Sequence, residues 1–108
     1  FTIEYVPTDF ENMVYDILRN VPKGKVTTYK RLAEKMGIKA YRAIGSALAK
    51  NPYAPEVPCH RVVSSNGKIG GFMGKKSGPT ILKKQNLLKD EGIEVENGKI
   101  VGFKNKLV

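Results

Sequence analysis

The chain has no tryptophan, one cysteine and one histidine. A single cysteine excludes an internal disulfide, so no covalent link stabilises the fold, which suits a reducing compartment. One Cys and one adjacent His fall short of any usual zinc ligand set, so no metal site is expected. No apolar run approaches the ~20 residues that span a bilayer, and no secretory signal is visible. Internal repeats and low-complexity linkers are missing too. Acidic residues are scarce, 10 against 19 lysines and arginines, for a net charge of +9. That excess favours a polyanionic partner, nucleic acid first and an anionic membrane surface second. Against it stands the plain alternative of a lysine-rich solvated surface. At 108 residues, 41% of them hydrophobic, the chain is one domain with one core.

What is present is concentrated in one stretch, Asn51-Pro52-Tyr53-Ala54-Pro55-Glu56-Val57-Pro58-Cys59-His60-Arg61. The lone cysteine and lone histidine are neighbours behind three prolines. Proline fixes φ and removes a backbone donor, so the approach reads as stiff and extended. A thiol on a rigid lead-in is a candidate nucleophile, although a lone cysteine is by default a small buried hydrophobe.

Along the chain, Phe1 to Val6 reads as a short strand. Thr8 and Glu11 have capping-box spacing, and Phe10, Met13, Val14, Ile17, Leu18 and Val21 then mark the buried face of a helix. Thr27 or Thr28 caps a second helix with Leu32, Ala33 and Met36 inside and Gly37 as its stop. A third helix runs from about Ala40 to Lys50, which makes the pair a helix-turn-helix. Its apolar face is Ala40, Tyr41, Ile44, Ala47 and Leu48. Its other face, Arg42, Gly45, Ser46 and Ala49, is nearly bare, which lets another backbone approach closely. That backbone is either an element of the same protein or a duplex, with Arg42 entering a groove and Ser46 meeting phosphate.

Beyond the Cys-His pair, Arg61 to Ser64 reads as a strand and Ser65-Asn66-Gly67 as a hairpin turn. A fourth helix, begun by Pro79 or capped by Thr80, turns Ile81, Leu82, Leu87 and Leu88 inward and ends at Gly92. Ile93 to Val101 forms a second hairpin about Asn97-Gly98, and the basic tail from Lys104 to Val108 is expected to fray.

Pro58-Cys59-His60-Arg61-Val62, eight residues after Asn51-Pro52, behind Gly24-Lys25-Val26-Thr27-Thr28-Tyr29 and Arg42-Ala43-Ile44-Gly45, and ahead of Leu87-Leu88 and Glu91-Gly92, resembles the O6-alkylguanine-DNA alkyltransferase family. The likeness covers about Thr8 to Gly92. It implies an α+β, mainly helical fold: a winged-helix-like helix-turn-helix domain with short β hairpins. Residues 1–108 would form one DNA-binding and active-site domain, with the family's N-terminal domain absent or reduced to residues 1–7. It implies repair of double-stranded DNA containing O6-alkylguanine. The helix-turn-helix binds through the minor groove, the base is flipped out of the stack into a pocket, and its alkyl group passes irreversibly to Cys59, without cofactor, in a monomer of the cytoplasm or nucleus.

By position, the resemblance makes Cys59 the nucleophile, His60 its base through a water, Glu91 the carboxylate that polarises His60, and Asn51 the tie of the preceding turn. Adjacent residues on an extended chain point to opposite sides, so a bridging water or a sharp bend must link Cys59 to His60. Tyr29, Arg42, Ala43, Gly45, Ser46, Lys50 and Arg61 are the implied DNA contacts, with Arg42 filling the gap left by the flipped base. Tyr29, Val57, Phe72, Met73 and Gly74 are the implied alkylguanine pocket. Phe72 stands where many members have tyrosine. Met73 replaces a small or polar residue, and the segment from Lys75 to Thr80 is long. Two other readings stand beside this one. A non-catalytic lesion-binding relative usually replaces the cysteine, often with tryptophan. A helix-turn-helix regulator would need base-reading side chains that the bare third helix lacks.

Overall fold

The computed structural model describes residues 6–54 and 56–108. The strand expected at Phe1 to Val6 therefore lies almost wholly outside the described residues. The rest is mainly helical, with short strands.

Helix α1 (Asp9–Arg19) starts in the capping box that the sequence indicates. Thr8 Oγ1 accepts from the Glu11 amide at 3.1 Å, and the Glu11 carboxylate accepts from the Thr8 amide at 2.9 Å. This satisfies two amides that a helix start leaves without partners. Its inner face is Val14, Tyr15 and Leu18, all fully buried, whereas Met13 is 51% exposed and does not join the core as its spacing suggests. Tyr15 replaces it: its hydroxyl donates to the Ala47 carbonyl at 2.7 Å, so burial of the ring leaves no polar atom stranded.

Strand β1 (Thr27–Thr28) leads directly into α2 (Tyr29–Met36), whose N-cap Thr28 accepts from the Arg31 amide at 3.0 Å. Gly37 closes α2 in the left-handed region, φ 69°, where a side chain would be strained. Helix α3 (Tyr41–Lys50) buries Ile44, Ala47 and Leu48 against α1 and α2. Ala40 and Tyr41 are exposed, Tyr41 by 47%, so they lie outside the apolar face to which they were assigned.

Strand β2 (Val62–Val63) pairs in parallel with β1, Thr27 opposite Val62. The turn at Ser65-Asn66-Gly67 forms, with the Ser64 amide on the Lys68 carbonyl at 2.9 Å, but the next residues leave β2. Ile69 bonds instead to Gly98 in the C-terminal hairpin of β3 (Val95–Glu96) and β4 (Lys99–Ile100). The tail is not frayed. A last turn, α5 (Phe103–Lys106), brings Leu107 alongside Val26, and the Val108 amide bonds the Val26 carbonyl at 2.9 Å. Its backbone donors and acceptors complete the free edge of β1.

Helix α4 (Pro79–Asp90) begins at Pro79 behind Gly78, with no side-chain cap, so Thr80 does not serve as one. Leu82 is 57% exposed, while Lys84 is fully buried in the face expected to be apolar. Two apolar clusters result. One joins α1, α2 and α3 to Val57, Cys59, Val62 and Phe72. The other joins Val26, Val63, Ile69, Leu88, Ile93 and Ile100. Strands β1 and β2 lie between them, so the peptide around Cys59 is held from both sides. Among the described residues, no helix is long and apolar enough to cross a membrane.

Candidate functional site

The chain leaves α3 at Asn51, which caps the helix and is 4% exposed. Its Nδ2 donates to the Val57 carbonyl at 2.8 Å, and its Oδ1 accepts from the Tyr53 amide at 3.0 Å. The Val57 amide returns to the Tyr53 carbonyl at 3.0 Å. One buried amide thus closes the turn from the helix end to the residue two before Cys59. The segment is not extended up to the thiol. Cys59–Arg61 is a single 3-10 turn, with the Arg61 amide on the Pro58 carbonyl at 3.0 Å. Three residues per turn separate Cys59 and His60 by about 120°, not the 180° of an extended chain. This is the sharp bend that the sequence left as one of two links.

Cys59 is 5% exposed and free. It meets solvent through a cavity of about 550 Å³ bordered by Tyr29 of α2, Gly45, Leu48 and Ala49 of α3, and the segment from Ile69 to Lys76. A smaller cavity of about 180 Å³ reaches Cys59 and His60 from the other side, between Ala54, Phe72, Met73 and Leu87. Phe72 and Met73 divide the two. They sit on a two-residue turn in which Phe72 and Lys75 exchange both backbone hydrogen bonds at 2.9 Å. Met73 at φ 51° and Gly74 at φ 78° give that turn its hand.

Burial pushes the Cys59 thiol up. A hydrogen bond from Asn51, the positive charge of Lys84 and its own backbone amide pull the other way without overcoming it. The resting group is therefore a thiol, and becoming a nucleophile requires a base. His60, 4% exposed, is held below its ordinary value by burial, and Glu91 only partly opposes this. It is a neutral imidazole at neutral pH. Its Nε2 lies 3.0 Å from Glu91 Oε2. Burial alone would raise the Glu91 carboxyl, but hydrogen bonds from Arg61 and His60 outweigh it and hold the group below the usual range. Glu91 is thus an ionised acceptor, so His60 carries its proton on Nε2 and leaves Nδ1 with a free lone pair.

Arg61 was expected to face DNA. Its side chain is 15% exposed and points inward instead. Nε and Nη2 bind Glu91 at 2.9 and 2.6 Å, and Nη1 donates to the Val21 carbonyl at 2.7 Å. The forked pair fixes the carboxylate that fixes His60. Val57 was expected to line the pocket. It is fully buried in the core and borders neither cavity, because its backbone is drawn inward by Asn51 and Tyr53. Phe72, Met73, Gly74 and Tyr29 do border the main cavity. Burial, and then the charge of Cys59, raises the Tyr29 phenol, which keeps it a donor. Arg42, Ala43, Ser46 and Lys50 are exposed on α3, and Gly45 lies where that surface meets the cavity mouth. A Cβ at Gly45 would meet only open space, so its lack of a side chain serves no contact among the described residues.

Sequence reasoning missed Lys84. Its Nζ donates to the carbonyls of Val62, Ile69 and Gly71 at 2.7, 2.6 and 2.8 Å. The available signal was periodic, since Lys84 stands between Ile81 and Leu88 on the inner face of α4. No cluster of three or more metal-ligating side chains occurs among the described residues.

A family model described as 6-O-methylguanine DNA methyltransferase, DNA binding domain, matches residues 9–93. The methylated-DNA–protein-cysteine methyltransferase of Candida glabrata is 42% identical over 93 residues, 85% of this chain and 42% of that protein. That of Methanosarcina acetivorans is 42% identical over 95 residues, 85% of this chain and 58% of its own. The chain spans about half the length of the curated relatives it matches. The crystal structure of O6-methylguanine-DNA methyltransferase from Pyrococcus kodakaraensis superposes with a TM-score of 0.67 at 43% identity, over 79% of this chain and 47% of that one. That of S. pombe Atl1 in complex with damaged DNA containing O6-carboxymethylguanine gives 0.79 at 27% identity, over 95% and 98%.

Proposed function

The chain belongs to the 6-O-methylguanine DNA methyltransferase family, and on that premise we propose that it repairs O6-alkylguanine in duplex DNA by taking the alkyl group onto Cys59. The observation that carries this reading is the hydrogen-bonded row Arg61, Glu91, His60 behind a buried thiol that opens only into cavities. His60 Nδ1 takes the Cys59 proton, directly or through a water, and Glu91 supports the imidazolium that forms. Sγ attacks the alkyl carbon, the S–C bond forms as the C–O6 bond breaks, and the electron pair passes to the guanine. The guanine takes up one proton as the thiol gives one up, and the Tyr29 hydroxyl, which borders the main cavity, is the donor to the ring in this reading. The thioether has no route back, so each molecule acts once and needs no cofactor.

A base inside a duplex cannot reach a buried thiol, so it must leave the stack, at a cost of a few kcal/mol. The surface of α3 suits that task. Arg42 is exposed to fill the gap, Ala43, Gly45 and Ser46 allow close approach of a groove, and Lys50 adds charge to a chain of net +9.

A second reading has its own support, because Atl1 overlays nearly the whole chain. In that case the protein would hold the lesion without reacting. The free cysteine beside a neutral, carboxylate-oriented histidine favours transfer. Incubation with a duplex carrying O6-methylguanine, followed by intact-mass measurement, separates the two. Transfer adds the mass of one methylene to the parent chain and nothing to Cys59→Ser. Tight lesion binding with no mass gain in the parent would overturn the transfer reading.

A further inference from the structure

Lys84 is the one lysine among the described residues that is fully buried, and the mechanism above leaves it without a task. Its three ammonium hydrogens match three carbonyl acceptors, all within 2.8 Å. A neutral amine would have only two hydrogens to offer, so the full set of bonds belongs to the charged form. The acceptors come from separate stretches. Val62 begins β2 and directly follows the 3-10 turn that carries Cys59. Ile69 and Gly71 form the cavity wall that leads into the Phe72–Lys75 turn. Ile69 is also anchored by its amide on the Gly98 carbonyl and by its place in the second apolar cluster, but Gly70 and Gly71 have no side chain to hold the rest of the wall. It also has little slack: a Cβ on Gly71 would lie 2.9 Å from the Lys75 carbonyl oxygen.

We propose that Lys84 is a positioning residue for alkyl transfer: it straps the Ile69–Gly71 wall of the main cavity to the strand that leaves Cys59, and it places a positive charge within electrostatic reach of the sulfur. The proposal rests on the transfer reading for its purpose, but not for its geometry. Burial lowers the Lys84 ammonium to about 7, and the Cys59 charge acts to raise it again. The two groups therefore support each other's ionised forms. His60 loses basicity to the same charge, and the Tyr29 phenol, on the same cavity, is raised by burial and then by the Cys59 charge. Arg61 and Glu91 also face this region but are already paired with each other.

The test compares the parent with Lys84→Gln and Lys84→Met. Cys59 alkylation by iodoacetamide, followed against pH, needs neither DNA nor alkylguanine. Loss of a nearby positive charge should raise its midpoint by about one pH unit. Transfer from free O6-benzylguanine should fall at least tenfold, about one tenfold step per 1.4 kcal/mol of lost positioning. A folded variant with an unchanged iodoacetamide midpoint overturns the proposal. Should neither variant fold, the reciprocal measurement decides. By linkage, the Lys84 15Nζ resonance should titrate at lower pH in Cys59→Ser than in the parent, and coincident titrations overturn the proposal. If the iodoacetamide midpoint shifts while the parent itself takes nothing from benzylguanine, the charge coupling stands and the transfer reading falls.

Discussion

Replacing Glu91 by glutamine removes one charge and one acceptor from the row behind Cys59. The carboxylate now accepts from Arg61 Nε, Arg61 Nη2 and His60 Nε2 at 2.9, 2.6 and 3.0 Å. An amide has a single acceptor oxygen, so its NH2 must confront either Arg61 or His60. Losing one hydrogen bond to a charged group costs about 1.5–3 kcal/mol. The side chains of Glu91 and Arg61 keep 11% and 15% exposure, and water reaching them sets the cost near the low end, about 2 kcal/mol. For a domain of this size that lowers the melting temperature by roughly 10 °C. The effect on chemistry is separate. With the NH2 toward Nε2, His60 shifts its proton to Nδ1 and can no longer accept from the thiol. General-base assistance is worth roughly 10²–10⁴, so single-turnover transfer from O6-benzylguanine at pH 7 should fall about 10²-fold. At about pH 10 the thiol ionises with less help and the deficit should shrink to less than tenfold. A Glu91→Gln variant that melts lower but transfers at the parental rate at pH 7, or whose deficit ignores pH, would refute the assignment of His60 as base.

Lys84, lowered to about 7, gives up its share of stability as the pH falls towards 7; below that, acid should destabilise the fold in two further stages. The folded-state pKa of His60 lies below its ordinary 6.5, so the unfolded chain binds a proton first and stability falls as the pH drops below about 6.5. Glu91, also depressed, adds a loss below about 4.5 as the carboxylate protonates. Thermal melts from about pH 7 to about pH 2.5 should show both, and His60→Gln should flatten the first. Met73→Asn should stabilise by about 1 kcal/mol, because Met73 holds φ 51° while 42% exposed and asparagine tolerates that region better; an unchanged or lower urea midpoint refutes this. Deleting residues 107–108 removes the Val108 amide bond to Val26 and the Thr27 hydroxyl bond to the Val108 carbonyl. It should cost about 1–2 kcal/mol, read as a shift in the urea midpoint at constant slope.

The local signals of this chain were legible because their physics is local. Thr8 with Glu11, Thr28 before α2, Gly37 after it and Asn97-Gly98 each fix a helix end or a turn within a few residues, and each stands where the spacing placed it. Pairing between distant segments was not legible. Nothing in Thr27-Thr28 names Val62-Val63 as its partner, and nothing in Lys104 to Val108 announces a strand edge, since the tail is ordered by backbone atoms that every residue carries. The errors at the site share one cause. The resemblance puts Arg61 on DNA and Val57 in the pocket, and the spacing leaves Lys84 out of account. In each case a hydrogen-bond partner outside the local pattern decides where the residue sits: the Asn51 amide for Val57, the Glu91 carboxylate for Arg61 and the Val62 carbonyl for Lys84. The pairing of His60 with Glu91 could be anticipated because family resemblance carried non-local information that periodicity does not.

The stiffness that the sequence attributes to prolines has a different source. A fixed φ at Pro52 or Pro58 limits one torsion and leaves the neighbouring ψ free. What fixes the distance from α3 to the sulfur is the Asn51 amide, bonded at both ends of the turn it spans. Helix α1 then holds both sides of that turn. Tyr15 bonds Ala47 in the last part of α3 and packs edge-on against Tyr53, with ring centroids 5.7 Å apart. Arg19 lies 5.5 Å over the Tyr53 ring and 3.4 Å from Glu56. The exposed salt bridge contributes little by itself, but the buried hydroxyl and ring contacts do not depend on salt. A load applied to the outer surface of α3 must therefore move α1, the turn and Cys59 together. For the single transfer proposed above, this means that the helix proposed to open the duplex and the thiol proposed to receive the base are tied into one unit, so no separate closure is needed to bring them into register.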